Sequence, residues 1–456
     1  MKKIIHAGDL HIGEAPYGSR ALSKDVESFC GWLGDLVAGE SPDLVVLAGD
    51  TFDSPRPSAR DMGVLLALAY DVDRSGSSLA IVDGNHDSSV WARAGRGGKR
   101  GRPHGRWSSA LARSFPKSVL VPSFGWSEWP DVPKPGGIRT RTGVRVIPMD
   151  YLPPEFARDT FSRLSRSVAD HGSPADVLVA HQSMEWAVGG VFGHDLDKEA
   201  LDGIAAYCAL GDIHCMARRV SHGWVSAYSG PSTWMSSRES GKEGIWVVTV
   251  DGGRVSGMER RTPPEARGLA RLVLDQDDGR LVASISGWTE EWAGSVMRKG
   301  RPDSARTVPD LVASLLGISG VLLEEDGLPA PPETGKVCLL VEFLEGSDVA
   351  GSQAARKVVD GISEMFSPED FETATDSRSA ASSSDVSGWI RRRHGDEDSV
   401  MDDGFFEEAI REAAHEAVPD DHERAERVAS ACRDIWRNPA SAGSLVPRKD
   451  GGEGER

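Results

Sequence analysis

Asp43-Leu44-Val45-Val46-Leu47-Ala48-Gly49-Asp50 is the stretch that decides the fold. Its apolar run is unbroken, with none of the polar alternation of a strand that faces water on one side. It is also too short for a buried helix. It therefore reads as a strand covered on both faces, the kind that builds parallel sheets. Residues 22–37 before it and 59–75 after it carry apolar groups at helical spacing. Further strands are predicted over 3–7, 79–82, 145–148, 177–180, 207–210 and 245–250. Alternating strands and helices predict an α/β domain.

The Gly49-Asp50 that ends the run has four counterparts. Gly8-Asp9-Leu10-His11, Gly84-Asn85-His86-Asp87, Ala180-His181 and Gly211-Asp212-Ile213-His214 each follow a short apolar run. All five fall at the carboxyl ends of predicted strands, where open α/β sheets collect ligands. Their donors are carboxylate, amide and imidazole, without cysteine. Such a set suits manganese, iron or zinc better than calcium. Two divalent ions roughly 3.5–4 Å apart can activate water and neutralise a phosphate. Asp50 is the natural bridge between them. Asp9 and His11 are candidates for the first ion, Asn85 and His181 for the second, with Asp212 and His214 serving one each. His86 is expected to point away from the ions, free to act as general acid on the leaving oxygen. Asp87 is the candidate to orient that imidazole by a hydrogen bond.

The 456 residues, 39% hydrophobic and 27% charged, leave room for two or three domains. No apolar run approaches the roughly 18 residues of a membrane span, and no apolar segment follows Met1-Lys2-Lys3 as a signal would require. Five scattered cysteines fit a reducing compartment and argue against a disulfide scaffold. A cytoplasmic protein is expected. The net charge of −18 argues against wholesale nucleic-acid binding, but half of it lies in the tail from Asp396 onward.

Residues 251–267 read as a crossover, with Pro263-Pro264 as a break. A second domain follows, with strands predicted over 270–275, 281–285 and 337–343 and helices over 308–316 and 349–366. Residues 376–388 are Ser/Ala-rich and read as a linker. Two helices are then predicted over 402–418 and 421–437.

Together the five motifs resemble those of the calcineurin-like metallophosphoesterase superfamily. Three stretches narrow the resemblance to the SbcD / Mre-eleven nuclease subunits of double-strand-break repair. They are Ile5-His6-Ala7-Gly8-Asp9-Leu10-His11-Ile12-Gly13, the run from Pro42 through Phe52-Asp53-Ser54-Pro55-Arg56-Pro57-Ser58, and Tyr228-Ser229-Gly230-Pro231-Ser232. The resemblance implies a four-layer αββα sandwich over 1–262, a smaller α+β capping, DNA-binding domain over 263–380, and a linker with a helical tail over 381–456. It implies a dinuclear centre, typically manganese, with Mg²⁺ or Fe²⁺ as alternatives. Asp9, His11, Asp50 and His214 would hold one ion, and Asp50, Asn85, His181 and Asp212 the other. His86 would be the catalytic histidine. The implied activities are 3′–5′ exonuclease and single-strand endonuclease on DNA. The family usually has histidine at position 212, and the aspartate here favours harder ions. Asp53 matches the acidic residue of bacterial members.

Arg93, Arg96, Lys99, Arg100, Arg102 and Arg106 form a basic loop without acids directly after the Asn85 motif. It is a candidate clamp on DNA phosphates. Trp91 and Trp107 flank it, as base-stacking or as core residues. Phe405, Phe406, Ile410 and Trp436 give the tail helices apolar faces. In the resembled family such a segment docks on an SbcC / Rad-fifty-like SMC-type ATPase, and the catalytic domain forms a homodimer. Competing readings are a small-molecule or nucleotide phosphoesterase and a weakly catalytic DNA-end-binding scaffold.

Overall fold

The computed structural model describes residues 1–87, 107–122, 133–188, 194–235, 244–263, 267–277, 280–286, 308–324, 336–343, 348–366 and 371–376. Strands are numbered along the chain. One six-stranded sheet holds β1 (Lys2–Ala7), β2 (Leu44–Ala48), β3 (Ser78–Val82), β4 (Val119–Leu120), β11 (Ile245–Asp251) and β12 (Arg254–Arg261). Its spatial order is β12-β11-β1-β2-β3-β4. The other holds β5 (Ile138–Arg139), β6 (Arg145–Met149), β7 (Ala175–His181), β8 (Ala205–Gly211), β9 (Ala217–Ser221) and β10 (Trp224–Tyr228). Here the order is β5-β6-β7-β8-β10-β9.

β2 is buried along its whole length and pairs in parallel with β1 and β3. Its even-numbered side chains, Leu44, Val46 and Ala48, join Val146, Val177, Val179 and Tyr207 of the opposite sheet in one core. Its odd-numbered ones, Val45 and Leu47, pack on Phe29, Leu33 and Leu65 of the helices Arg20–Glu40 and Ala59–Arg74. The outer face of the second sheet is covered by the helix Pro154–His171 through Ala157, Phe161, Leu164 and Val168. The layers therefore run helix, sheet, sheet, helix, the expected αββα sandwich. Helix Ala59–Arg74 starts with a capping box in which Ser58 and Asp61 each satisfy the other's backbone N–H.

Between the sheets, His6 of β1 bonds the Tyr207 hydroxyl through Nδ1 at 2.7 Å. Burial pushes this imidazole down to about 3, so it is neutral at pH 7 and serves as a polar rivet in an apolar layer.

Residues 254–261, read from the sequence as part of a crossover, form an edge strand instead. β12 returns antiparallel on β11 after Gly252-Gly253, both at positive φ. Its side chains are mostly exposed and polar, which hides it from a search for apolar runs.

A third sheet, of order β15-β14-β13-β16-β17, comprises β13 (Gly268–Asp277), β14 (Arg280–Ser286), β15 (Leu322–Glu324), β16 (Val337–Phe343) and β17 (Phe371–Asp376). Helices Val308–Leu316 and Asp348–Met365 cover one face of it. On the other face, Leu269, Cys338 and Leu340 pack on Leu22 and Trp234 of the sandwich. Arg267 is buried at this junction. Its Nε donates to Asp25 Oδ2 at 2.8 Å, and its carbonyl accepts from Trp234 Nε1 at 2.9 Å. Two residues before Trp234, Ser232 donates its hydroxyl to the Leu10 carbonyl at 2.7 Å.

Candidate metal centre

The ends of β1, β2, β3, β7 and β8 meet at one edge of the sandwich. Close approach there depends on glycine. A Cβ on Gly49 would lie 2.2 Å from His181 Nδ1, one on Gly84 2.0 Å from Asp50 Oδ1, and one on Gly211 2.0 Å from the Ala48 carbonyl oxygen. Asp9, His11, Asp50 and Asp212 all have positive φ, at 50°, 48°, 44° and 99°. Aspartate and histidine tolerate this left-handed region better than bulkier residues, and it turns successive side chains inward. The loops are tied together by Asp9 N–H to the Gly49 carbonyl at 3.1 Å and His11 N–H to the Asp50 carbonyl at 2.9 Å.

Ligand atoms of Asp9, His11 and His214 lie within 4.8 Å of one another, and so do those of Asp9, Asp50 and His181. His11 Nε2 stands 3.3 Å from His214 Nε2 and 3.7 Å from Asp50 Oδ2. His181 Nε2 stands 3.0 Å from Asn85 Oδ1, 3.4 Å from Asp50 Oδ2 and 3.7 Å from Asp212 Oδ1. His181 Nδ1 bonds the Ala48 carbonyl at 2.9 Å, which aims Nε2 at the oxygens. All seven residues named from the motifs as donors are thus gathered in one cluster, with Asp50 at its centre. The ring of Tyr151, which the motifs did not single out, stands 6.2 Å from the His181 ring at the rim.

The electrostatics of the cluster call for cations. Asp9 is fully buried, and its Oδ2 has no hydrogen-bond partner among the described residues. A buried carboxylate oxygen left bare is costly unless an ion meets it. Burial raises the Asp9 carboxyl above its usual range, His181 and His214 opposing, and pushes Asp212 up to about 6. Burial would also raise Asp50, but His181, His11 and His86 override it and hold Asp50 below the usual carboxylate range. Burial would lower the His181 imidazole, yet Asp50, Asp9 and Asp212 raise it well above its ordinary value. Protons are here doing what divalent cations do better, since metal binding displaces them from imidazole and carboxylate alike. The nitrogen and oxygen donor set fits such ions.

His86 sits at the mouth of the cluster, with its backbone N–H on Asp50 Oδ1 at 2.9 Å. The expected bond from Asp87 to its ring is not made. Asp87 is buried and spends both carboxylate oxygens on backbone N–H groups, those of Thr51, Phe52 and Gly84, at 2.9–3.0 Å. It shapes the loop beneath the site. The group beside the His86 ring is Asp53, whose Oδ1 lies 3.4 Å from His86 Nδ1 and 3.6 Å from His11 Nδ1. Hydrogen bonding to Asp53, opposed by partial burial, raises the His86 imidazole to about 9, so it is a cation at neutral pH. Asp53 lies in the stretch that carried the resemblance, but its place beside the two histidines comes from chain pairing. A parallel bridge joins Ile12 to Phe52, and the Asp53 N–H donates to the Ile12 carbonyl at 3.2 Å, which brings its carboxylate within reach of His11.

Trp107 is core: it is buried and meets Phe52 edge-on at 4.8 Å between ring centroids. The basic loop with Arg93, Arg96, Lys99, Arg100, Arg102 and Arg106, and the tail residues Phe405, Phe406, Ile410 and Trp436, lie outside the described residues. No helix among the described residues is long and apolar enough to cross a membrane.

Residues 2–216 match the calcineurin-like phosphoesterase family. The DNA double-strand break repair protein Mre11 of Aeropyrum pernix is 23% identical over 346 residues, which cover 71% of this chain and 80% of that protein. The SbcD component of the SbcCD nuclease of Escherichia coli K12 is 22% identical over 313 residues, 64% of this chain and 74% of the relative. The same component from Bacillus subtilis is 24% identical over 305 residues, 61% and 76% respectively. The family match begins before Asp9 and ends after His214, so it takes in every residue of the cluster. Residues 2–216 form a calcineurin-like phosphoesterase domain that is similar to the SbcD and Mre11 proteins, and the chain is a metal-dependent hydrolase of phosphate esters.

Proposed function

We propose that this chain is the nuclease subunit of an SbcCD-like complex that processes DNA ends in repair or recombination. The observation that carries the reading is the pairing of a two-part nitrogen and oxygen donor cluster with an imidazole, His86, held at its mouth 3.4 Å from Asp53 Oδ1. Asp9, His11, Asp50 and His214 would hold one divalent ion, and Asp50, Asn85, His181 and Asp212 the other, with manganese the expected metal. When bound, such ions neutralise the phosphate and activate water. His86, held as a cation by Asp53, gives its Nε2 proton to the departing sugar oxygen. Asp53 keeps the ring's Nδ1 edge occupied, which leaves Nε2 as the donor toward substrate.

Residues 1–262 would form the nuclease domain, 263–380 the capping domain, and 381–456 the linker and tail that meet an SMC-type coiled-coil ATPase. Both exonuclease and single-strand endonuclease action and a homodimer belong to this reading, as does a cytoplasmic location. The experiment is a comparison of labelled duplex DNA with nucleotide monophosphates and cyclic nucleotides at millimolar Mn²⁺. Release of nucleotides from the duplex is expected. Turnover of small nucleotides alone would replace the nuclease reading with a small-molecule one. Deleting residues 390–456 should abolish co-purification with a co-expressed SMC-type ATPase partner and spare cleavage of single strands.

The Asp53–His86 contact predicts a pH effect. The imidazole donates its proton only while protonated, so kcat/KM should fall on the alkaline side as His86 titrates, from about 9. Asp53→Asn removes the anion that holds the proton. Its alkaline limb should therefore move to lower pH, toward the ordinary value of 6.5. An unmoved limb would mean that another group carries the proton.

A further inference from the structure

Sorted by neighbour, the donors of the cluster form two unequal sets. The set around His11 Nε2 has a second imidazole, His214, at 3.3 Å, with Asp50 Oδ2 at 3.7 Å and Asp9 alongside. The set around His181 Nε2 has no second imidazole among the described residues. It has three oxygens, Asn85 Oδ1 at 3.0 Å, Asp50 Oδ2 at 3.4 Å and Asp212 Oδ1 at 3.7 Å. The first set is two nitrogens and carboxylate oxygen; the second is one nitrogen and three oxygens. Each set mixes buried and wetter donors. In the first, Asp9 and His11 are buried and His214 is half-buried; in the second, His181 and Asp50 are buried, Asn85 is exposed and the Asp212 side chain is 24% exposed.

Imidazole favours ions of borderline softness, and carboxylate and amide oxygen favour hard ones. Hard ions also keep part of their water shell, for which the exposed Asn85 and half-buried Asp212 leave room. We infer that the two subsites select different cations: a borderline ion of the zinc or ferrous class between His11 and His214, and a hard ion of the magnesium or manganous class beside Asp212. Asp212 is the residue that makes the difference. Its backbone N–H donates to Asp9 Oδ1 at 2.9 Å and its φ of 99° is fixed by the loop, so a change of side chain swaps the donor without re-aiming the chain. The inference rests on the metal-dependent reading proposed above.

Manganese alone can fill both subsites, which gives a clean starting state. Zinc is titrated into the full chain loaded with Mn²⁺, and released Mn²⁺ is followed by its electron paramagnetic resonance signal. The expected result is two steps, one ion released by the first equivalent of zinc and the other only at zinc about 10-fold higher or more. Asp212→His should release both ions in one step. Asp212→Asn keeps an oxygen donor, suits positive φ, and should keep the two steps, which provides a folded comparison if the histidine variant fails to fold. Single-step release from the parent chain, or two-step release from Asp212→His, overturns the inference. A parent chain that holds fewer than two Mn²⁺ before zinc is added overturns the metal-dependent reading itself.

Discussion

His86→Asn is expected to lower DNA cleavage by ~10²–10⁴-fold at neutral pH, the usual worth of a general acid, with two Mn²⁺ per chain retained. The side chain of His86 is 43% exposed, so little packing is lost. Its backbone N–H would still hold Asp50 Oδ1. What disappears is a proton donor for a leaving group that is a poor one unprotonated. A nitrophenyl phosphodiester provides the control, because its leaving oxygen needs no proton. The variant should cleave that ester within a few-fold of the parent rate. Equal losses on DNA and on the nitrophenyl ester would assign His86 to binding rather than to proton transfer, and a parent-like rate on DNA would remove it from the chemistry.

Gly49→Ala is expected to abolish binding of at least one metal ion. Two effects combine at this glycine. Its φ is 90°, where an L side chain costs ~1–2 kcal/mol. Its Cβ would also lie 2.2 Å from His181 Nδ1, the atom that bonds Ala48 and aims the ring. Relief of that overlap must move either the imidazole or the loop whose carbonyl holds Asp9. Gly143 separates the two effects. It has a φ of 88° and nothing within 4 Å of the site of its Cβ. Gly143→Ala should therefore lower the melting temperature modestly and leave Mn²⁺ stoichiometry at the parent value. If both variants bind metal alike, close packing of the strand ends is not what positions His181.

The sandwich is legible in the sequence where burial is symmetrical. β2, β3, β7 and β8 are buried along their whole length and β1 over its last four residues, so their apolar runs are nearly continuous, and a donor residue ends β7 or follows each of the others within three residues. Elements with a wet face are harder to see. Helix Pro154–His171 is hidden because Pro153-Pro154 reads as a break, although proline at the first helical position is also a common start. Its apolar stripe of Ala157, Phe161, Leu164 and Val168 is the signal that reveals it. β17 is hidden because Phe371–Asp376 alternates acids and threonine with few apolar groups and runs straight on into the Ser/Ala-rich stretch.

For the site, residue types and spacing are enough to collect the donors but not to orient them. Asp87 and Asp53 are both acids close in sequence to a motif. The turn that follows β2 lays Asp53 against the His86 ring and gives Asp87 the backbone N–H groups of Thr51 and Phe52. That choice depends on tertiary register, which a short motif does not encode.

The junction at Arg267 bears on how the molecule melts. Breaking the ion pair between this deeply buried guanidinium and Asp25 costs ~3–5 kcal/mol. The third sheet therefore cannot swing away from the sandwich without breaking an expensive contact, and the same segment that grips Arg267 through Trp234 grips the Leu10 carbonyl through Ser232. Calorimetry of the parent chain should accordingly give a single cooperative transition for the two parts, and ions bound at Asp9 and His11 should raise its midpoint for both at once.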